Sequence, residues 1–399
     1  MVDVLSRHLN GHYGMCATYH LVSNASRNFL KKVFFIAGEA SGDIYGGLIA
    51  HEMSRQSNIG PIEMRGWGGD KMTEAGVEVS KHYRELAYMG VWEVATHLGT
   101  ILGNLKKCWN EIEAFTPDAI VLVDFPGFNM RIARKAARTK WGDVKIFQVV
   151  APQVWAWKKG RVKKLARDYS AVFPVLPFEH DLLSASGVPS IYHGHPILDT
   201  LDDNFTEVKD HVDSEKPILA LLPGSRKQEI SKLLPLLLEV AQKHPSMSPV
   251  VAGAPGASME LYELAEKAGV RVVFGKTKEV LSSAKLAVIT SGTATLEAAL
   301  LGTPHVLVYK TSALTYAAAK LFVKVKFIGL TNLILGREVV PELIQADCTA
   351  ANIQRELQSE KVSAQSEAFQ ELRLALGGKG ASEKIAGTIL GLISVDKSA

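Results

Sequence analysis

Ile218-Leu219-Ala220-Leu221-Leu222-Pro223-Gly224-Ser225-Arg226 is an unbroken apolar run that stops at a proline and opens into a glycine turn bearing a hydroxyl and a guanidinium. Apolar residues without polar alternation mark a strand covered on both faces, as in a parallel sheet. The turn suits an anion. Glycine lets the backbone approach a ligand, and arginine holds phosphate oxygens bidentately without losing its charge. An ordinary strand-to-helix turn with a surface arginine would read the same way, so the segment needs a companion.

Ser291-Gly292-Thr293-Ala294-Thr295-Leu296-Glu297 supplies one, directly after the apolar run Leu286-Ala287-Val288-Ile289. Small hydroxyl residues and glycine at a helix start leave N–H groups free, and the helix dipole adds to their pull on an anion. Glu297 falls one turn beyond Thr293 on the same helix face, where a carboxylate can accept both hydroxyls of a ribose. A plain N-cap with Glu297 on a solvated face is the alternative. Loops after two strands of one doubly wound sheet border a common crevice at the carboxyl ends. The pair therefore reads as a UDP-sugar site, with Gly224, Ser225, Arg226, Ser291, Gly292, Thr293 and Glu297 as its candidate ligands.

The same alternation of short apolar runs and helical stretches extends both ways. Val33–Ala37, Ala119–Val123 and Val144–Val150 precede it, while Pro249–Ala252, Val270–Phe274 and His305–Val308 follow the first run. Such alternation predicts parallel sheets covered by helices on both faces. A chain of 399 residues is too long for one ordinary core. The predicted architecture is α/β, with two Rossmann-like domains facing a cleft. The expected division is a leader at 1–31, an N-terminal domain at 32–198, a C-terminal domain at 199–375 and a final helix at 376–399 that packs back on the N-terminal domain or on a partner subunit. The polar, acidic stretch Asp199–Lys216 reads as the interdomain crossing or a solvated helix beside it.

Composition narrows the class. A net charge of +4 does not call for nucleic acid. Cys16, Cys108 and Cys348 are odd in number and far apart, which argues against a disulfide framework or a zinc site. A mean hydropathy of +0.08 fits either a protein resting on a membrane surface or large buried sheets. No G-x-G-x-x-G follows the first strand of either half, no G-x-x-x-x-G-K-[ST] occurs, and Asp-x-Asp is absent. Dinucleotide enzymes, P-loop NTPases and metal-chelating sugar transferases are disfavoured in turn. No cofactor and no metal are expected.

Three stretches of the first half carry further chemistry. Gly38-Glu39-Ala40-Ser41-Gly42-Asp43 crowds two carboxylates into the loop after the first strand; Asp43 reads equally as a cap of the following helix. Asp124-Phe125-Pro126-Gly127-Phe128-Asn129 puts a carboxylate at the end of a buried strand, placed as a general base or as a helix cap. Val154-Trp155-Ala156-Trp157-Lys158-Lys159 sets two tryptophans beside a basic run, which suits either core or an anionic lipid interface. Met89, Val91 and Trp92 before an apolar helical stretch, and Lys320, Lys324 and Lys326 among Leu321, Phe322 and Phe327, are the candidate contacts to lipid and membrane; helix-packing core is the alternative for both.

These motifs, with Asn-Leu-Ile-Leu-Gly-Arg-Glu at 332–338, occur in an order that resembles the lipid-A-disaccharide synthase family from about Val33 onward. The resemblance implies a GT-B glycosyltransferase that uses UDP-2,3-diacylglucosamine as donor and 2,3-diacylglucosamine 1-phosphate (lipid X) as acceptor, peripheral on the cytoplasmic face of the inner membrane. It implies a catalytic role for Asp124, phosphate contact for Arg226 and a cluster near the nucleotide at Asn332, Arg337 and Glu338. Glu39, Ser41, Gly42, Asp43 and Asn129 become candidates for the acceptor side. A homodimer with exchanged C-terminal segments is part of the same implication. Gly127 stands where the family often has a second aspartate, and the leader departs from the usual pattern. Rival readings are another UDP-GlcNAc transferase or epimerase of this fold, or a nucleotide-sugar-binding subunit without catalysis.

Overall fold

The computed structural model describes residues 30–56, 60–86, 98–139, 144–155, 159–201, 214–254, 257–312, 316 and 325–394. They build two six-stranded sheets. The first contains β1 (Lys31–Ala37), β2 (Ile62–Gly68), β3 (Glu78–His82), β4 (Ala119–Val123), β5 (Lys145–Val149) and β6 (Ala171–Phe173), in the order β3-β2-β1-β4-β5-β6. The second contains β7 (Ile218–Leu222), β8 (Ser248–Gly253), β9 (Arg271–Phe274), β10 (Ala284–Thr290), β11 (His305–Tyr309) and β12 (Glu342–Ile344), in the order β12-β11-β10-β7-β8-β9. Every pairing is parallel.

Counted from its own first strand, each sheet has the same doubly wound order, and the direction of winding reverses between its first and fourth strands. A crevice opens at that reversal, beyond the carboxyl ends. The strands flanking it are β1 and β4 in one sheet and β7 and β10 in the other. The loops that follow these four begin at Gly38, Asp124, Pro223 and Ser291. Topology alone therefore gathers the four candidate segments at two crevices, one in each sheet.

The central strands coincide with the apolar runs of the sequence. β2, β3, β6 and β12 were not anticipated, and each has a reason. Ile62-Glu63-Met64-Arg65-Gly66-Trp67-Gly68 mixes charges and glycines, β3 is a polar edge strand, and β6 and β12 are edge strands of three residues. Strand β1 begins at Lys31, inside the expected leader; residues 1–29 lie outside the described residues. Of the crossing, Asp199 and Thr200 close a 3-10 turn at Pro196–Thr200, while 202–213 lie outside the described residues.

The helices that bear on the site are α1 (Ala40–Arg55), α2 (Asp70–Glu74), α3 (Leu98–Phe115), α4 (Pro126–Ala136), α5 (Pro177–Ala185), α6 (Lys227–Gln242), α7 (Thr293–Leu301), α8 (Leu330–Leu335), α9 (Gln365–Leu376) and α10 (Ala381–Ser394). One apolar core joins the two halves. It passes from Val33, Phe35 and Val121 through Ile385, Ile389, Phe369 and Leu372 to Leu296 and Leu300. Helix α10 buries Ile385, Ile389 and Ile393, which share one helical face at four-residue spacing. Each such side chain contributes roughly 1.5–3 kcal/mol on full burial. The helix lies along α1 of its own chain. Its start is capped from the crossing, where Asp199 accepts from Gly380 N at 2.6 Å and Ser382 N at 2.7 Å. His193 Nε2 lies 2.8 Å from Thr388 Oγ1. No helix among the described residues is long and apolar enough to cross a membrane.

Candidate functional site

Strand β4 is buried throughout, and the chain leaves it through two left-handed residues, Asp124 at φ +49° and Phe125 at φ +51°. Left-handed backbone costs a non-glycine residue about 1–2 kcal/mol, so it needs support. Asp124 N donates to Val149 O at 2.8 Å, and Asn129 Nδ2 donates to Asp124 O at 2.8 Å. The Phe125 ring fills the space over Gly38, where an added Cβ would come within 2.4 Å of ring carbon Cγ. The result is a half-buried carboxyl at the mouth of the crevice. Burial pushes the Asp124 carboxyl up to about 6, the Glu39 charge adds to this, and the Phe125 N–H opposes it.

Two candidates of the acceptor side turn out to be structural. Asn129 is fully buried; its Nδ2 donates to the Val123 and Asp124 carbonyls, while its Oδ1 has no partner among the described residues. Asp43 is buried in the first turn of α1, which begins at Ala40 rather than near Asp43. It does not cap its own helix. Its oxygens accept from Gly69 N at 2.7 Å, Lys71 N at 3.0 Å and Met72 N at 3.1 Å, so it caps α2. Gly42 is buried with Ala37 Cβ 3.3 Å from where its own Cβ would be, and Ser41 is partly exposed. Glu39 stays at the crevice. It holds the N-cap position of α1 without a capping bond, and its Oε1 lies 3.7 Å from Arg226 Nη2 of the other half.

The corner after β7 is built differently. Gly224 sits at φ +109°, where an added Cβ would lie 2.6 Å from Glu229 Oε2. Ser225 and Arg226 are exposed, and their N–H groups each donate to Glu229 Oε2 at 3.3 Å. The Arg226 guanidinium lies 3.6 Å from Glu229 and within reach of Glu39. After β10, Gly292 and Thr293 are exposed at the start of α7. Ser291 departs from expectation: its N–H continues the sheet to Val308 O at 3.0 Å and is not free for an anion. Glu297 is half-buried; burial raises its carboxyl above the usual range, with Lys278 opposing and Glu279 adding. Tyr45 of α1 is buried where it feels the charges of both crevices. Its hydroxyl is held high first by burial, then by the charges of Glu297 and Asp124.

The C-terminal cluster is engaged within its own chain. Asn332 is fully buried, with Oδ1 accepting from Val339 N and Val340 N and Nδ2 donating to Val340 O and Glu342. It shapes the turn after α8, which packs against α7 and α9, and no free atom of it faces a ligand. Arg337 pairs through both terminal nitrogens with Glu371, and Glu338 pairs with Lys361 at 3.2 Å. Met89, Val91, Trp92, Trp157, Lys320 and Lys324 lie outside the described residues. Lys326 is exposed, its Nζ 5.1 Å from the centre of the Phe327 ring. Trp155 is packed edge-on against Phe178 and donates from Nε1 to Glu179 at 2.8 Å.

Sequence reasoning missed Tyr45, Gln148, Glu179 and Glu229. Glu179 and Glu229 each stand at the third position of a helix and bond back to its N-cap backbone, but with Leu176 and Arg226 as N-caps the sequence lacks the usual Ser/Thr-x-x-Glu signature. Burial pushes Glu179 up to about 7, against its bonds from Trp155 and the backbone. No local signal distinguishes Tyr45 from any other helix aromatic.

A family profile described as lipid-A-disaccharide synthetase matches residues 33–381. The chain belongs to this family. The lipid-A-disaccharide synthase of Syntrophus aciditrophicus is 35% identical over 382 residues, covering 91% of this chain and 98% of that protein. The Anaeromyxobacter dehalogenans protein of the same name is 36% identical over 379 residues, covering 91% and 97%. Membership makes the chain a glycosyltransferase of lipid A biosynthesis. Solved structures share the two-sheet GT-B architecture at low identity. The UDP-GlcNAc 2-epimerase of Neisseria meningitidis bound to UDP-GlcNAc superposes with a TM-score of 0.62 at 13% identity, covering 90% of this chain and 100% of that chain. The calicheamicin glycosyltransferase CalG4 gives 0.53 at 16%, covering 93% and 100%. These two carry the fold and nothing finer.

Proposed function

We propose that the cleft transfers 2,3-diacylglucosamine from UDP-2,3-diacylglucosamine to the 6-hydroxyl of lipid X, with inversion, giving the β-1,6 disaccharide 1-phosphate and UDP. The observation that carries the residue assignment is the Asp124 carboxyl, half-buried at the carboxyl end of β4 and pushed up to about 6. A primary hydroxyl is a weak nucleophile, and a base of that strength is largely ionised at neutral pH yet basic enough to take its proton. As the oxygen attacks the anomeric carbon, the bond to the UDP phosphate breaks and negative charge grows on the leaving oxygen. Arg226 and the N–H groups of Gly292 and Thr293, both exposed residues at the start of α7, are the proposed donors for that charge. Glu297 is the proposed ribose acceptor. We assign the enzyme to the cytoplasmic face of the inner membrane, supported by the exposed Lys326 beside Phe327.

Purified protein given UDP-2,3-diacylglucosamine and lipid X should form disaccharide and UDP in equal amounts. Turnover of UDP-GlcNAc without an acceptor would favour an epimerase, and UDP binding without turnover a binding subunit; either outcome overturns the proposal.

A further inference from the structure

Gln148 poses a physical problem. It lies in β5, Lys145-Ile146-Phe147-Gln148-Val149, between residues that are all buried at its end of the strand, and it is itself fully buried. It pairs across the sheet with Leu122. An amide in such a place costs free energy unless its hydrogen bonds are made. They are made on one side only. Nε2 donates towards Asp124 O at 3.2 Å, Val149 O at 3.1 Å and Val150 O at 3.1 Å, while Oε1 is buried without a partner among the described residues. Rotating the amide would set its oxygen against three carbonyl oxygens, so the nitrogen must face them.

The three carbonyls belong to two adjacent corners. Asp124 and Val150 both have left-handed backbone, at φ +49° and +62°. The Asp124 N–H also donates to Val149 O at 2.8 Å, and Asn129 binds the Asp124 carbonyl from the opposite element, α4. The Asp124 peptide is thereby fastened at both its N–H and its C=O, and Gln148 joins the corner after β4 to the corner after β5. An orphaned buried oxygen has given up its hydrogen bonds to water with nothing in return. An apolar residue would fill the position without that cost.

We infer that Gln148 is a positioning residue: it holds Asp124 in its left-handed conformation and so aims the carboxylate at the acceptor hydroxyl. The inference rests on the proposed role of Asp124 and extends it to a residue with no contact to substrate. Displacing a reacting group by about 1 Å can cost on the order of a hundredfold in rate.

The test is a double-mutant cycle on the full chain, with turnover, KM for the UDP-sugar and thermal midpoint measured for each variant. Gln148→Met keeps length and removes both donors; kcat should fall about 10- to 100-fold, with KM for the UDP-sugar within about twofold. Gln148→His, which keeps an N–H donor at similar reach, should recover most of the loss. In an Asp124→Asn background, Gln148→Met should lower the residual rate no further, because a residue acting through Asp124 has nothing left to position. A Met variant as active as the parent, or equal losses with and without Asp124, overturns the inference. If Asp124→Asn is itself fully active, the base assignment fails instead. Should Gln148→Met not fold, the His variant decides alone: a loss of kcat as large as that of Gln148→Glu, which replaces the donor by an acceptor, overturns the inference.

Discussion

The corners after β4 and after β7 each flank the crevice of a sheet with the same strand order, yet they are made in opposite ways. At Asp124 the chain turns left-handed on non-glycine residues and is pinned by buried amides, with an aromatic ring packed over Gly38. At Gly224 the same sense of turn falls on glycine, the following residues are exposed, and a single carboxylate, Glu229, gathers their N–H groups. The first corner removes a carboxyl from water and raises its basicity. The second leaves an exposed guanidinium within reach of an anion. Strain and burial suit proton transfer, whereas openness and glycine suit phosphate.

The comparison breaks most visibly at its acidic end. Asp124→Asn should lower turnover by about two to four orders of magnitude while leaving UDP affinity, measured by calorimetry, nearly unchanged. In the parent, the acid limb of kcat/KM should fall near pH 6, where the carboxyl takes up its proton. Comparable loss of UDP binding would erase the proposed division of labour. Arg226→Ala attacks the other corner. The loss of a charge-assisted contact of about 1.5–3 kcal/mol should weaken UDP binding roughly ten- to hundredfold. Unchanged UDP affinity would remove Arg226 from the phosphate site.

The smallest effect concerns stability. The Glu179 carboxyl is pushed up to about 7 by burial, well above an unfolded glutamate. A group raised in the folded state binds more protons there, so its contribution is fully present below about pH 4 and is lost as pH rises through about 7. Denaturant midpoints of the parent should therefore decline between about pH 4 and pH 7, and Glu179→Gln should flatten part of that decline. An identical slope in both proteins would show that Glu179 titrates at its ordinary value.

Much of the fold is legible in the sequence because central parallel strands are apolar on both faces. Ala119–Val123 and Ile218–Leu222 announce themselves in that way. The edge strands do not, since β3 is polar and β6 and β12 are too short to show a period. The site is legible as a set of loops, but the roles inside each motif are not. In Gly-Glu-Ala-Ser-Gly-Asp, Asp43 went to a cap on α2 while Glu39 remained at the crevice. In the loop at 124–129, Asp124 kept a partly exposed carboxyl and the Asn129 amide nitrogen was taken by the backbone.

The sequence by itself determined the class of fold, the family and the four loops, because those depend on local patterns: apolar runs, glycine turns and ordered motifs. Tertiary structure decided which polar atoms stay free. Asp43, the Asn129 amide nitrogen, Asn332 and the Ser291 N–H look like ligands in one dimension, and each is taken by a backbone group, some six or seven residues away and others across the fold. Buried backbone groups must find partners, and those partners are fixed only when the chain has folded.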